Sequence, residues 1–567
     1  MKNIITTFSL TEKVLFYILA GIFVVTGFTL LYNFNEQFLV EIPEGGGSLT
    51  EGLIGTPRLI NPILAVSETD KDLTALVYSG LMRATPDAGL IPDLAESHSV
   101  SDDGLEYTFT IRNNAVFHDN TPVTADDVIF TVVSAQNPQI KSPKRSNWEG
   151  VVIEKISDKQ IVFRLSKPYA PFLQNMTLGI LPKHVWEKID ANEFALSNAN
   201  IEPIGSGPYT IGEITRDSIG IPVSYTLESF KKFTLGQPHI ATLTFKFAKT
   251  QDDLIALYNQ GDVEAIHGIN PTLAKELENN NVRVEHVPLP RIFGVFFNPD
   301  QAMVLSTNPV RKALSIVTPK DAIVENVLSG FGSSIENPIP LHIFNNDKNQ
   351  LSNPHEKTED ELISEASKVL TDAGWEKNSA GIWAFEDTEK KESSILKFSV
   401  STGNIPELAD SAKYVVDAWK KLGADVELKT FEAADLNASV IRPRNYDALL
   451  FGMVIGRDAD FYAFWHSSQR NDPGLNIAKY ANVEVDTLLE DIRTATSTNA
   501  VSDKFMELNN AIQKDVPAVF LYTPEFVYVL PEKIRGFEIK DIVTSEERFL
   551  NIYKWFIYTD KIWKMFI

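Results

Sequence analysis

Residues 14–32, VLFYILAGIFVVTGFTLLY, carry no charge, and nineteen residues at helical rise approach the hydrocarbon thickness of a bilayer. The run predicts one transmembrane helix. It is long for a cleaved signal peptide and no small-x-small site follows, so it reads as a retained anchor. Lys2 and Lys13 precede it while Glu36, Glu41 and Glu44 follow. The positive-inside bias then leaves residues 1–13 in the cytoplasm and puts the bulk of a single-pass chain on the extracytoplasmic face of the cell membrane. Residues 33–47, ending in Glu44-Gly45-Gly46-Gly47, read as a tether that serves only as a spacer.

Beyond Ser48 the pattern shortens. Residues 49–54 predict a first strand, and Leu73, Leu76, Val77 and Leu81 mark the buried face of a helix over 69–82. Leu105, Tyr107, Phe109 and Ile111 alternate with Glu106, Thr108 and Thr110, a half-buried strand. A turn at Asp119-Asn120-Thr121-Pro122 follows, and Thr124 with Asp127 three residues on predicts a capped helix start. Ile161, Phe163 and Leu165 repeat the strand pattern, so a small antiparallel sheet is expected here. Gly205-Ser206-Gly207-Pro208-Tyr209 reads as a tight turn; residues 223–230, 241–248 and 263–267 read as strands and 252–260 as a short helix. A helix over 310–328 is broken at Thr318-Pro319, and 342–361 is polar and loop-like.

Residues 395–453 alternate strand and helix patterns as βαβαβ. Leu408, Ala412, Val415, Val416, Trp419 and Leu422 form the helix stripe, closed by Lys420, Lys421 and Gly423. Such alternation predicts a largely parallel sheet that accepts ligands at the carboxyl ends of its strands. A last strand over 520–530 and an aromatic closing segment over 547–567, whose rings suit either an interfacial membrane helix or packing on the fold, complete the chain.

Composition narrows the function. A chain of 567 residues needs several cores, and a formal charge of -23 without any basic block argues against nucleic acid or an anionic membrane surface as a partner of the chain as a whole. With no cysteine, disulfides, thiol catalysis, thiolate metal sites and a lipid-modified N-terminal cysteine are excluded. Nine scattered histidines make no metal-ligand pair, and His118 and His184 read as structural; no cofactor or metal is expected. No H-E-x-x-H, G-x-S-x-G or partnered S-x-x-K occurs, so binding is favoured over catalysis. Asp458 and Asp460 are the acidic pair nearest to acid–base chemistry, and no nucleophile or metal-ligand motif accompanies them. The candidate site is the stretch 446–469: a buried strand, then Gly456-Arg457-Asp458-Ala459-Asp460, then Phe461, Tyr462, Phe464, Trp465 and His466. Polar groups among aromatics at a strand end suit a small-molecule or peptide pocket, and the same aromatics suit a core plug.

The stretch SDDGLEYTFTIRNNAVFHDNTPVTADDVIFT, residues 101–131, resembles the signature region of the family-5 extracellular solute-binding proteins, the peptide- and nickel-binding components of ABC importers. The resemblance continues through Pro168-Tyr169-Ala170-Pro171-Phe172, Leu181-Pro182-Lys183-His184, Gly205 to Tyr209, Phe297-Asn298, Pro309-Val310-Arg311-Lys312-Ala313-Leu314 and Trp465-His466-Ser467-Ser468. It implies an α/β, two-lobed periplasmic-binding-protein type II-like fold with an extra small α/β domain, preceded by the transmembrane helix. Lobe I would comprise 48–75, 205–290 and 515–567, the extra domain 76–204 and lobe II 291–514, with residues 290–299 starting the crossover. The implied protein is a monomer that captures oligopeptides between its lobes and delivers them to an ABC permease. A peptide sensor, or a receptor for a sugar, opine, nickel chelate or haem, would use the same fold. Met453, Arg457, Asp458, Asp460, Phe461, Trp465 and His466 are the ligand-binding candidates. Many peptide-binding members resemble G-W-x-x-D-Y-x-D-P here, the first aspartate pairing with the peptide's amino group. This chain has Met453 at the tryptophan and Gly456 at that aspartate, with Asp458 and Asp460 displaced toward the C-terminus.

Overall fold

The computed structural model describes residues 9–87, 89–339, 357–387, 392–457, 459–494 and 498–566. Among them, one twelve-stranded sheet runs through two halves of the molecule. In the first half Ser48–Ile54 lies between Thr242–Ala248 and Ala265–His267, parallel to both, and Pro222–Ser229 and Tyr209–Arg216 extend the sheet by antiparallel pairing. In the second half Lys397–Gly403 runs parallel to both Asp425–Phe431 and Ala448–Val454, as the βαβαβ pattern predicts. The intervening helix Pro406–Leu422 buries the whole predicted stripe and closes on Gly423 at φ 110.

The joint is Ala518–Val529. Its first residues pair with Arg291–Phe297 and its last five with Val284–Pro288, both antiparallel. The chain therefore crosses between halves twice, at residues 288–291 and again within this strand. Sequence placed all of 515–567 in lobe I; the start of a strand twelve residues long pairs instead within the second half. Either side of the joint the apolar side chains gather into separate clusters, one around Leu49, Tyr225 and Trp555 and others around Val400, Trp419 and Trp465.

The small antiparallel sheet is present, in the order Ala95–Val100, Glu106–Ile111, Gln160–Arg164, Val152–Ser157. The helix Ala125–Gln136 beside it starts on the expected capping box, where the Thr124 N–H and hydroxyl both donate to Asp127 Oδ2 at 2.8 Å. Tyr107, Phe109 and Phe163 belong to the same continuous core as the first half. The turn 205–209 lies directly on the end of helix Glu68–Val77. A Cβ on Gly207 would stand 2.5 Å from the Leu76 carbonyl and one on Gly205 would overlap that of Val77, so only glycine lets the two segments touch. His118 is held in that turn, with Nε2 3.1 Å from the Gly207 carbonyl, and burial pushes its imidazole down to about 4.

The ends of the chain depart from expectation. The apolar helix is longer than 14–32, spanning Leu10–Glu36, because Ser9 and Glu12 form a capping box that starts it a turn earlier. Residues 39–44 are not a loose spacer: Leu39–Glu44 pairs antiparallel with Tyr558–Trp563 over six residues. The Gly46 N–H then bonds the His239 carbonyl at 2.7 Å. The closing segment packs on the first half through Phe549, Ile552 and Trp555, then leaves as that strand. Helix Glu359–Asp372 and the strands Trp383–Asp387 and Glu392–Ile395 are additions to the sequence reading; most of the polar stretch 342–361 lies outside the described residues.

Candidate ligand site at the joint of the two halves

Strand Ala448–Val454 pairs with Arg291–Phe297, and its exit is fixed beside the first crossing: Val454 lies opposite Arg291, and the Ile455 N–H donates to the Pro290 carbonyl at 2.8 Å. The candidate loop thus leaves the sheet where the halves meet. Arg457 uses that position. Its Nε and Nη2 form a fork on Glu547 at 3.1 and 2.9 Å, and Nη2 also reaches the Asp541 carbonyl at 2.9 Å. Glu547 begins the closing segment and Asp541 lies six residues before it, both on the first half, so this largely buried ion pair joins the two halves. The remaining nitrogen, Nη1, is buried without a hydrogen-bond partner.

The other predicted residues lie elsewhere. Asp460 is held by Arg493, with Nε 3.0 Å from each of its oxygens and Nη2 2.5 Å from Oδ2, while that guanidinium lies 3.8 Å over the Tyr462 ring. Its charge is answered within the second half. His466 stacks on Tyr462 at 4.0 Å, and its Nδ1 lies 2.8 Å from the Ser468 hydroxyl. Met453, Phe461 and Trp465 are buried in the second half's core, Phe461 against Phe505 and Trp465 against Phe296, Tyr480 and Phe520. These three apolar side chains at the end of a buried strand pack in the core below the loop, and the Trp465 Nε1 is itself buried without a hydrogen-bond partner. Asp458 lies outside the described residues.

Apart from Arg291 on the predicted crossover and Ser206 in the predicted turn, the sequence did not mark the following polar groups. Buried side-chain atoms without a hydrogen-bond partner include Thr74 Oγ1, Tyr78 Oη, Ser206 Oγ and Glu546 Oε2 on the first half and Arg291 Nε and Thr523 Oγ1 on the crossing strands. Burial raises the Glu546 carboxyl above the usual range. No local periodicity marks these residues; they share only their place in space. Each such atom, left unmet, would cost about 1–3 kcal/mol, so each is a candidate for a bond to water or to a bound solute.

The turn that presents Glu547 is anchored from beneath. Arg548 is fully buried and binds Asp72 at 2.6 and 2.9 Å and Glu51 at 3.0 and 2.8 Å; Tyr528 donates to Glu51 at 2.9 Å. Burial pushes Asp72 up, but the Arg548 guanidinium and His267 pull it down more strongly, and the balance holds it at about 2. Among the described residues no group of three or more histidine and acidic side chains is placed to hold a metal ion.

The family model of bacterial extracellular solute-binding proteins, family 5 Middle, matches residues 89–473. The oligopeptide-binding protein AppA of Bacillus subtilis (strain 168) is 28% identical over 522 residues, covering 91% of this chain and 92% of AppA. The solved structure of AppA from Bacillus subtilis in complex with a nonapeptide is similar at 27% identity with a TM-score of 0.69, covering 91% of this chain and 100% of that one. NikZ from Campylobacter jejuni in complex with Ni(L-His) shares the fold at 24% identity and a TM-score of 0.68, covering 90% of this chain and 99% of its own.

Proposed function

Since the chain belongs to the bacterial extracellular solute-binding proteins of family 5, we propose that it is the solute receptor of an ABC importer, held on the cell membrane by helix Leu10–Glu36. The two halves act as lobes that close about the crossing strands, enclose an oligopeptide, and release it to the permease. It works as a monomer, converts nothing and needs no cofactor. The observation that supports the peptide assignment is the set of buried side-chain atoms without a hydrogen-bond partner on both halves, Tyr78, Ser206 and Glu546 on one and Arg457 on the other. An extended peptide offers alternating N–H and C=O groups to such atoms at every residue. Arg457 and Asp458, with Glu546 on the other lobe, are the proposed ligand contacts. Asp460 and His466 support the loop that carries them.

The lysines before the apolar helix and glutamates after it support a single-pass orientation with the lobes outside. Mass spectrometry of whatever co-purifies with the full chain in mild detergent tests the ligand class. Short peptides are the expected result; a nickel chelate, haem or a sugar as the sole co-purifying solute would replace the peptide reading.

A further inference from the structure

Ligand capture makes no use of the ribbon formed by Leu39–Glu44 and Tyr558–Trp563, yet it is bonded tightly at both ends. At the lobe end it runs directly into the central strand Ser48–Ile54, and Phe556 bridges to Arg535. At the far end it is joined to the apolar helix itself. Lys561 Nζ lies 2.8 Å from Glu36 Oε2, the Lys564 N–H donates to the Phe38 carbonyl at 2.7 Å, and the Phe38 ring packs on both Phe34 and Trp563. Of these contacts, those of Glu36 and Phe34 are made by the last turn of the helix. Six paired residues hold the lobe about 20 Å from the end of the helix, on two strands in place of a single flexible chain.

Aromatic and long apolar side chains are exposed at that far end: Phe34, Phe38, Trp563 at 44% and Met565 at 74%. Of the eight tryptophans, the other seven are all at or below 4%. The patch is continuous with a helix long and apolar enough to cross a membrane, and Lys564 lies beside it. Such rings and cations are the composition of a membrane–water interface, where an aromatic body meets acyl chains and a lysine meets anionic headgroups.

We propose that this end of the ribbon is a second membrane contact. Trp563, Phe38, Phe34 and Met565 sit at the headgroup level of the bilayer crossed by Leu10–Glu36, and Lys564 meets its anionic lipids. The ribbon therefore holds the receptor at a set height and orientation above the permease. This inference rests on the membrane-anchor reading. It is tested on the full chain reconstituted into phosphatidylcholine–phosphatidylglycerol vesicles containing lipids brominated at the headgroup end of the acyl chain. Tryptophan emission should be partly quenched, and Trp563→Phe should lose that lipid-dependent quenching, since the other indoles are enclosed in protein. If the chain floats with the vesicles but wild type and Trp563→Phe respond identically to the brominated lipid, the ribbon contact is overturned and the anchor stands. A chain that does not float with the vesicles overturns the anchor reading and the contact together.

Discussion

Arg457→Ala is expected to weaken peptide binding by at least about 2 kcal/mol, some thirtyfold in Kd. The side chain grips Glu547 on the opposite half with two nitrogens, both partners are largely buried, and a third nitrogen is left for a ligand acceptor. Removing it costs twice: the proposed contact with the peptide is lost, and so is the ion pair that joins the two halves. Glu547→Gln removes only the second part. Titration calorimetry on the two single variants and the double variant separates the contributions; Glu547→Gln should account for part of the loss and the double variant should be less than additive. Affinity unchanged in Arg457→Ala would remove both the latch and the contact.

The second large effect concerns stability. Arg548→Met should destabilise the first half by about 3–5 kcal/mol, because it leaves Glu51 and Asp72 as buried carboxylates without their cation. Adding Glu51→Gln and Asp72→Asn should recover most of that loss, since the penalty is the unpaired charge and not the missing side chain. The pH dependence has a defined sign. Asp72 is depressed in the folded state, to about 2, so its contribution is present above the unfolded-state value near 4 and is lost as pH falls from there through about 2. The deficit of Arg548→Met in urea unfolding should accordingly be greatest at neutral pH and shrink below about pH 4. Because the same turn carries Glu547, this variant should also weaken peptide capture even where it stays folded.

Local signals in the chain were readable wherever the physics is local. The switch from period two to period 3.6 over 395–453 marked a parallel sheet, and Thr124 with Asp127 marked a helix start that the hydrogen bonds reproduce. Helix Glu359–Asp372 was harder because it buries only Ala366 and Leu370, leaving a thin apolar stripe, although Thr358 and Glu361 form a capping box that could have been read. What sequence could not supply is pairing at long range. Glu51 meets Arg548, Leu39 meets Trp563 and Arg457 meets Glu547 across stretches that leave no periodic trace. The candidate loop illustrates both sides. Its composition marked it as a candidate pocket, yet composition alone cannot distinguish an aromatic that lines a pocket from one that closes a core, and Phe461 and Trp465 pack in the core.

Hydrogen exchange of the full chain with and without a mixture of short oligopeptides tests most directly whether a peptide is enclosed between two lobes. Added peptide should slow exchange together in three segments that are far apart in sequence: residues 68–78 and 543–549 on one lobe and 454–466 on the other. Protection confined to a single lobe, or none at any peptide concentration, would contradict it.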